Sequence, residues 1–259
     1  MSACATSGFS TKNASVAYFN SPAIDTILIF TMITAGIHFG LIYATVTGKR
    51  NNIFRSEVTR VYLVMLLAGG VLIAISLYAA DIYPTLATSF RDARFQFATL
   101  VSTTGFATAD SNTWTSFAII LLIFGSLVCA CAGSTAGGIK VNRLVLAAKM
   151  LRARLQQQQH PNAVIRIRLD GMIQESEVLY SVMVFIVTYL MLVLAGTIFG
   201  TMLGIDLTTS FTGSVASIGN VGPGFGEVGS MDNFSALPAA FKASNTPLMP
   251  LGRLECLGL

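Results

Sequence analysis

Charge is scarce in this chain. Lys, Arg, Asp and Glu make up only 11% of its 259 residues, whereas a soluble domain carries roughly a quarter. That deficit excludes an ordinary soluble domain before any motif is read. Cysteine is also sparse: Cys4, Cys129, Cys131 and Cys256 are scattered, lack metal-type spacing and follow no secretory signal. Cys129 and Cys131 sit inside an apolar run and read as small packing residues. No Ser/His/Asp set, paired catalytic carboxylates or metal cluster stands out, so an enzyme is not expected. Nothing in the pattern calls for a nucleic-acid partner.

What is present is apolar. Hydrophobic residues make 53% of the chain and mean hydropathy is +0.69. Four stretches are long enough to cross a hydrocarbon core as helices of about 20 residues. They run over about 22–47, 58–80, 114–132 and 178–203. A fifth, 247–259, is interrupted by Pro250 and too short to cross. Lys49, Arg50, Arg55 and Arg60 oppose Glu57 in the linker 49–60. The linker 140–177 is more basic, with Lys140, Arg143, Lys149, Arg152, Arg154, Arg166 and Arg168. The excess of cations places both linkers in the cytoplasm and membrane lipid around the spans.

Two apolar stretches are too short to cross: 95–101 and 208–218, each lying between two spans and running into glycine-rich chain. Such segments read as re-entrant loops; an external loop with a surface helix fits the same spacing. Three segments align on one glycine: Thr6-Ser7-Gly8-Phe9, Thr103-Thr104-Gly105-Phe106 and Asn220-Val221-Gly222-Pro223. The repeating unit is helix, re-entrant loop, helix. Backbone carbonyls are tolerated at membrane depth where they line water or an ion. Glycine permits the angles that aim them inward, and carbonyl rings replace the hydration shell of a potassium ion.

These segments, with Gly133-Ser134-Thr135-Ala136-Gly137-Gly138-Ile139-Lys140 and Gly252-Arg253-Leu254-Glu255, resemble the Trk/Ktr potassium transporter family. The resemblance covers nearly the whole chain, and within the family it is closest to the C-terminal part of the bacterial Trk subunit. It implies an all-α transmembrane fold of four helix–pore loop–helix units around one pore, with the first unit and the front of the second absent here. The units are then 1–57, 58–160 and 161–259. The resemblance makes Thr6 to Phe9, Thr103 to Phe106 and Asn220 to Pro223 selectivity-filter residues. Potassium, the transported ion, would pass Thr103, Thr104, Asn220 and Val221.

Three glycines in six residues also break the helix after the third span, leaving either a flexible loop or a tight packing patch of small residues. The family resemblance makes Gly133 to Gly138, Lys140 and Arg253 a gate. It further implies a homodimer, a cytosolic nucleotide-binding regulatory ring and a bacterial inner-membrane location. Sodium-dependent or less selective cation uptake is the near alternative. A fragment inactive without its missing N-terminal half is another. A phosphate-binding loop is disfavoured because Ile139 stands where that motif requires lysine. His38 reads as a hydrogen-bonded packing residue, and Asp25 and Asp81 as solvated span ends. Asp110 and Glu227 follow two of the glycine turns, where a carboxylate attracts cations to an outer mouth.

Overall fold

The computed structural model describes residues 1–12, 14–48, 53–160, 165–232 and 234–253. Lys49, Arg50, Leu254, Glu255 and Cys256 lie outside the described residues.

Ten helices organise the described chain. The first two are α1 (Pro22–Ala35) and α2 (Phe39–Val46), followed by α3 (Glu57–Ala79), α4 (Leu86–Val101) and α5 (Ser116–Leu127). A two-residue parallel bridge joins β1 (Val128–Cys129) to β2 (Ile139–Lys140), with Val128 opposite Ile139. Next come α6 (Val141–Gln159) and a hairpin of β3 (Arg168–Leu169) with β4 (Met172–Ile173). The last helices are α7 (Ser176–Met202), α8 (Leu207–Gly219), α9 (Ala239–Asn245) and α10 (Leu248–Arg253).

The helices α3 and α7 are apolar on every face, with 23 and 27 residues, and long enough to cross a bilayer. Each buries one stripe. On α3 it is Tyr62, Leu66, Gly69, Ile73 and Leu77. On α7 it is Phe185, Tyr189, Val193, Gly196 and Gly200. Val64, Leu67, Val184, Val187 and Met191 remain exposed on the opposite faces, which suits a hydrocarbon solvent.

The short helices α4 and α8 are packed behind these spans. Gly69 leaves room for the Phe97 ring, and Gly70 lets the Arg94 backbone approach. Ser89 donates to the Ala74 carbonyl at 2.7 Å. In the second pair, Gly196 and Gly200 of α7 face Ser214 and Ser210 of α8. Small residues at such crossings let backbones come close where no hydrophobic force drives helices together in lipid.

Three sequence expectations need correction. The stretch 114–132 does not form a spanning helix: α5 holds only 12 residues before the chain enters the β1–β2 bridge and the loop that follows. The stretch 22–47 is not one straight helix: α1 and α2 meet at 99°. Gly36 ends the first piece, and the His38 side chain caps the second by accepting from the Gly40 amide at 2.9 Å. The released backbone is satisfied elsewhere, since Cys131 donates to the Gly36 carbonyl at 3.0 Å and Phe39 donates to that of Gly133 at 3.2 Å. Asp25 is not solvated either. It is 1% exposed and pairs with Arg91 Nε at 2.7 Å, tying α1 to α4. A charge in an apolar setting is retained when a partner of opposite sign reaches it.

Arg91→Leu leaves the Asp25 carboxylate buried without its partner. It is expected to cost about 3 kcal/mol of stability, with Asp25→Asn costing less because Arg91 reaches solvent. Thermal unfolding in detergent checks the order.

Candidate pore and gate

Each of the three aligned glycines follows the same backbone motif. Thr103 is left-handed at φ 55°, and so is Asn220 at φ 53°. After α4, Thr103 donates to the Leu100 carbonyl and Thr104 donates to that of Thr99, at 3.0 and 2.9 Å. After α8, Asn220 donates to the Ser217 carbonyl and Val221 donates to that of Ala216, at 3.3 and 2.9 Å. This is the Schellman helix ending, with its 5→2 and 6→1 bonds around one left-handed residue. At the start of the chain Thr6 is left-handed at φ 48° and Ser7 donates to the Ser2 carbonyl at 3.1 Å.

The glycines follow two residues later, with φ of 64° at Gly8, 82° at Gly105 and 103° at Gly222. Residues of positive φ thus alternate with residues of negative φ along each turn. Alternation of this kind swings successive peptide planes so that like groups face one side. A threonine in the left-handed region costs about 1–2 kcal/mol.

The turns converge. A Cβ on Gly8 would overlap the Thr104 carbonyl oxygen, and one on Gly105 would overlap the Val221 carbonyl oxygen and stand 3.1 Å from Pro223 Cδ. A Cβ on Gly222 would lie 3.9 Å from the Gly105 Cα. Thr6, Thr103, Thr104 and Val221 are buried, Phe106 is buried, and Ser7, Phe9 and Gly222 are exposed. Side-chain hydroxyls brace the outgoing chain: Thr99 Oγ1 accepts from the Phe106 amide at 2.8 Å and Thr212 Oγ1 from that of Phe225 at 2.9 Å.

The loop 130–138 lies against all three turns. Thr6 Oγ1 donates to the Thr135 carbonyl at 3.1 Å, and Thr135 Oγ1 donates to that of Cys4 at 3.4 Å. The Gly137 amide donates to Thr103 Oγ1 at 3.3 Å. A Cβ on Gly137 would overlap the Gly219 carbonyl oxygen and one on Gly133 the His38 ring. Ser134 Oγ donates to the Cys131 carbonyl at 2.6 Å. The β1–β2 bridge closes the base of this loop, and Gly138 packs on Cys129 Sγ. Lys140 is buried at that base.

Arg253 ends α10 and is exposed; among the described residues it makes no hydrogen bond or ion pair with the loop. Its neighbour Gly252 packs directly on the Ile218 carbonyl, and Asn220 Nδ2 donates to the Met249 carbonyl at 2.8 Å. Asp110 turns inward on its own chain, accepting from the Asn112 amide at 3.0 Å, and Glu227 is exposed. Beyond the end of α3, burial raises the Tyr83 hydroxyl above its ordinary range, and the neighbouring Asp92 carboxylate adds to the rise.

The family model for the cation transport protein TrkH matches residues 1–259. The chain belongs to the TrkH family. It is 32% identical over 259 residues to the Trk system potassium uptake protein TrkH of Salmonella typhimurium, covering 100% of this chain and 53% of that protein. It is 29% identical over 249 residues to the TrkG protein of Escherichia coli, covering 96% of this chain and 51% of the relative. The crystal structure of the potassium transporter TrkH from Vibrio parahaemolyticus superimposes with a TM-score of 0.91 at 29% identity, over 99% of this chain and 55% of that one. The chain therefore spans about half the length of the curated relatives it matches, and it is that of a multi-pass membrane protein with the all-α TrkH fold.

Sequence reading missed the break at Gly36–His38 and the left-handed Thr6, Thr103 and Asn220. A His between two glycines inside an apolar run was the available signal for the break. A threonine in the left-handed region gives no sequence signal, because the residue type ordinarily avoids it.

Gly137→Ala should cost about 2 kcal/mol because the Gly219 carbonyl has to move. Gly48→Ala, left-handed at φ 68° with nothing within 4 Å, should cost about 1 kcal/mol from backbone strain alone. Unfolding midpoints of the two variants, compared with the parent, measure the difference.

Proposed function

We propose that this chain is the C-terminal part of the pore-forming subunit of a gated potassium uptake system in the bacterial inner membrane. The reading rests chiefly on the convergence of three turns that share one alternating backbone motif. Main-chain oxygens of Thr103, Thr104, Asn220 and Val221, with those of Thr6 and Ser7, replace the water around a dehydrated potassium ion. The helices α4 and α8 end at these turns and add the partial negative charge of their C-termini. The units run over 1–57, 58–160 and 161–259, each contributing one turn, and a further unit in the remainder of the protein closes the ring.

The loop Gly133 to Gly138 is the gate. It touches each turn on the side where the pore helix ends, which is the inner side for a loop that enters and leaves from outside. Its main-chain contacts with Thr6, Thr103 and Gly219 obstruct the exit in this conformation. Lys140 anchors the base, and Arg253 adds a repelling positive charge below. A homodimer and a cytosolic nucleotide-binding ring complete the system, the ring acting on the basic stretch 140–177. Coupling to sodium or weaker ion discrimination is the near variant of the same architecture.

Rubidium uptake into liposomes tests this with protein expressed from its full reading frame. Gly105→Ala forces a side chain onto the Val221 carbonyl and should lower uptake at least about 100-fold. Unchanged uptake would remove the Gly105 turn from the ion path. Thr103→Val frees the Gly137 amide and should raise resting uptake severalfold, because one restraint on the closed loop is lost.

A further inference from the structure

A cavity of about 320 Å³ opens between the first turns of α7 and the flank of α6. One wall is apolar, formed by Val178, Val182 and Phe185. Another carries Arg143, which is 7% exposed and lies 3.9 Å from the centre of the Phe185 ring. The rim carries Glu175 and Glu177, both exposed. Asn142 also lines the cavity, and its Oδ1 is a buried acceptor without a donor among the described residues.

The position limits what fills this space. Helix α7 crosses a bilayer, and its first turns stand beside the basic stretch 140–177, at the level of headgroups. An apolar wall beneath a charged rim at that depth suits one molecule with a tail and a polar head. A basic residue in a pocket beside a span on this side suits a lipid headgroup. The charges select the head. One guanidinium suits a phosphate, but two carboxylates at the rim repel a lipid whose net charge is negative. They favour a head that also carries a cation. The orphaned Asn142 oxygen asks for an N–H donor, which a primary ammonium has and a quaternary one lacks.

We propose that this cavity is a binding site for a phospholipid with a zwitterionic, primary-amine headgroup. Arg143 holds the phosphate, and Glu175, Glu177 and Asn142 accept from the ammonium. Val178, Val182 and Phe185 carry the first part of an acyl chain. The site requires only that α7 cross a bilayer and is independent of which ion the protein carries. Rubidium uptake and lipid retention therefore fail or succeed separately.

Native mass spectrometry of the purified protein in detergent tests it. The probes are phosphatidylethanolamine, phosphatidylcholine and phosphatidylglycerol with identical acyl chains, and free phosphoethanolamine. Phosphatidylethanolamine should be retained about tenfold more than either other lipid. Glu175→Gln with Glu177→Gln should erase that preference while the unfolding midpoint stays within a degree or two, since both side chains are exposed. Val182→Trp fills the apolar wall and should lower retention of all three lipids. Equal retention of the three by the parent protein would overturn the proposal, as would a preference that survives the double substitution. Displacement of the lipid by equimolar free phosphoethanolamine would also overturn it, because the site would then belong to a soluble headgroup and not to a lipid.

Discussion

Main-chain oxygens at membrane depth have to be satisfied by something, and in this chain that constraint is met in two ways. Most of the backbone closes its own hydrogen bonds inside helices. The three glycine turns do not. There, a left-handed residue ends α4, α8 or the opening turn of the chain, and a left-handed glycine follows two positions later. The carbonyls between them leave the helical ladder altogether. Such a conformation costs energy at Thr6 and Thr103, whose branched side chains disfavour it. It persists because each turn is held from outside: by Thr99 and Thr212 behind the outgoing chain, by the neighbouring turn across a glycine contact, and by the loop 130–138. Strain kept in place by its surroundings is found where function needs fixed geometry.

That loop is also the point at which distant parts of the chain meet. Its first glycine faces the His38 ring in the break between α1 and α2, and Cys131 satisfies the carbonyl that the break exposes. Its middle contacts the turns at Thr6, Thr103 and Gly219. Its ends are joined by a bridge of two residues on each side, continuous with α5 and α6. A displacement of α6 therefore acts directly on the base of the loop, and a displacement of the loop alters contacts with all three turns at once. The break in the first span and the glycine loop form one hydrogen-bonded unit, so neither is a local irregularity. The pairing needs small residues on both sides: Gly36 under the Tyr62 hydroxyl and Gly133 under His38.

Much of this was legible in the residues themselves. Hydropathy marks α3 and α7 because each is long enough to cross and strongly apolar over an 18-residue window. The glycine alignment finds the three turns because all three positions have positive φ, and at Gly8 and Gly105 a neighbouring carbonyl also comes too close for a Cβ. Triple glycine in 133–138 marks the loop for the same reason. What stayed hidden depends on partners far away in sequence. Asp25 reads as solvated because nothing nearby announces Arg91, which lies on another helix. The stretch 22–47 reads as one span because the groups that satisfy its break, Cys131 and Gly133, come from a different unit. Composition also gives α5 a longer reach than its twelve residues, since apolar residues of the run continue into the bridge and the loop.

In the proposed pore, the distribution of ionised groups leaves the turns only dipoles with which to discriminate. Every residue of the three turns is neutral: threonine, serine, glycine, phenylalanine, asparagine, valine and proline. Buried Asp25 of α1 pairs with the partly exposed Arg91 of α4, and the buried Arg143 is on α6. A carboxylate at a turn would bind a bare cation strongly and release it slowly. Conduction requires a site that an ion enters readily and leaves as readily. Carbonyl oxygens and helix C-termini supply partial charges that meet both demands, and they do so at fixed positions because the backbone, not a flexible side chain, carries them. The structure thus keeps full charges out of the converging turns and leaves those turns to partial ones.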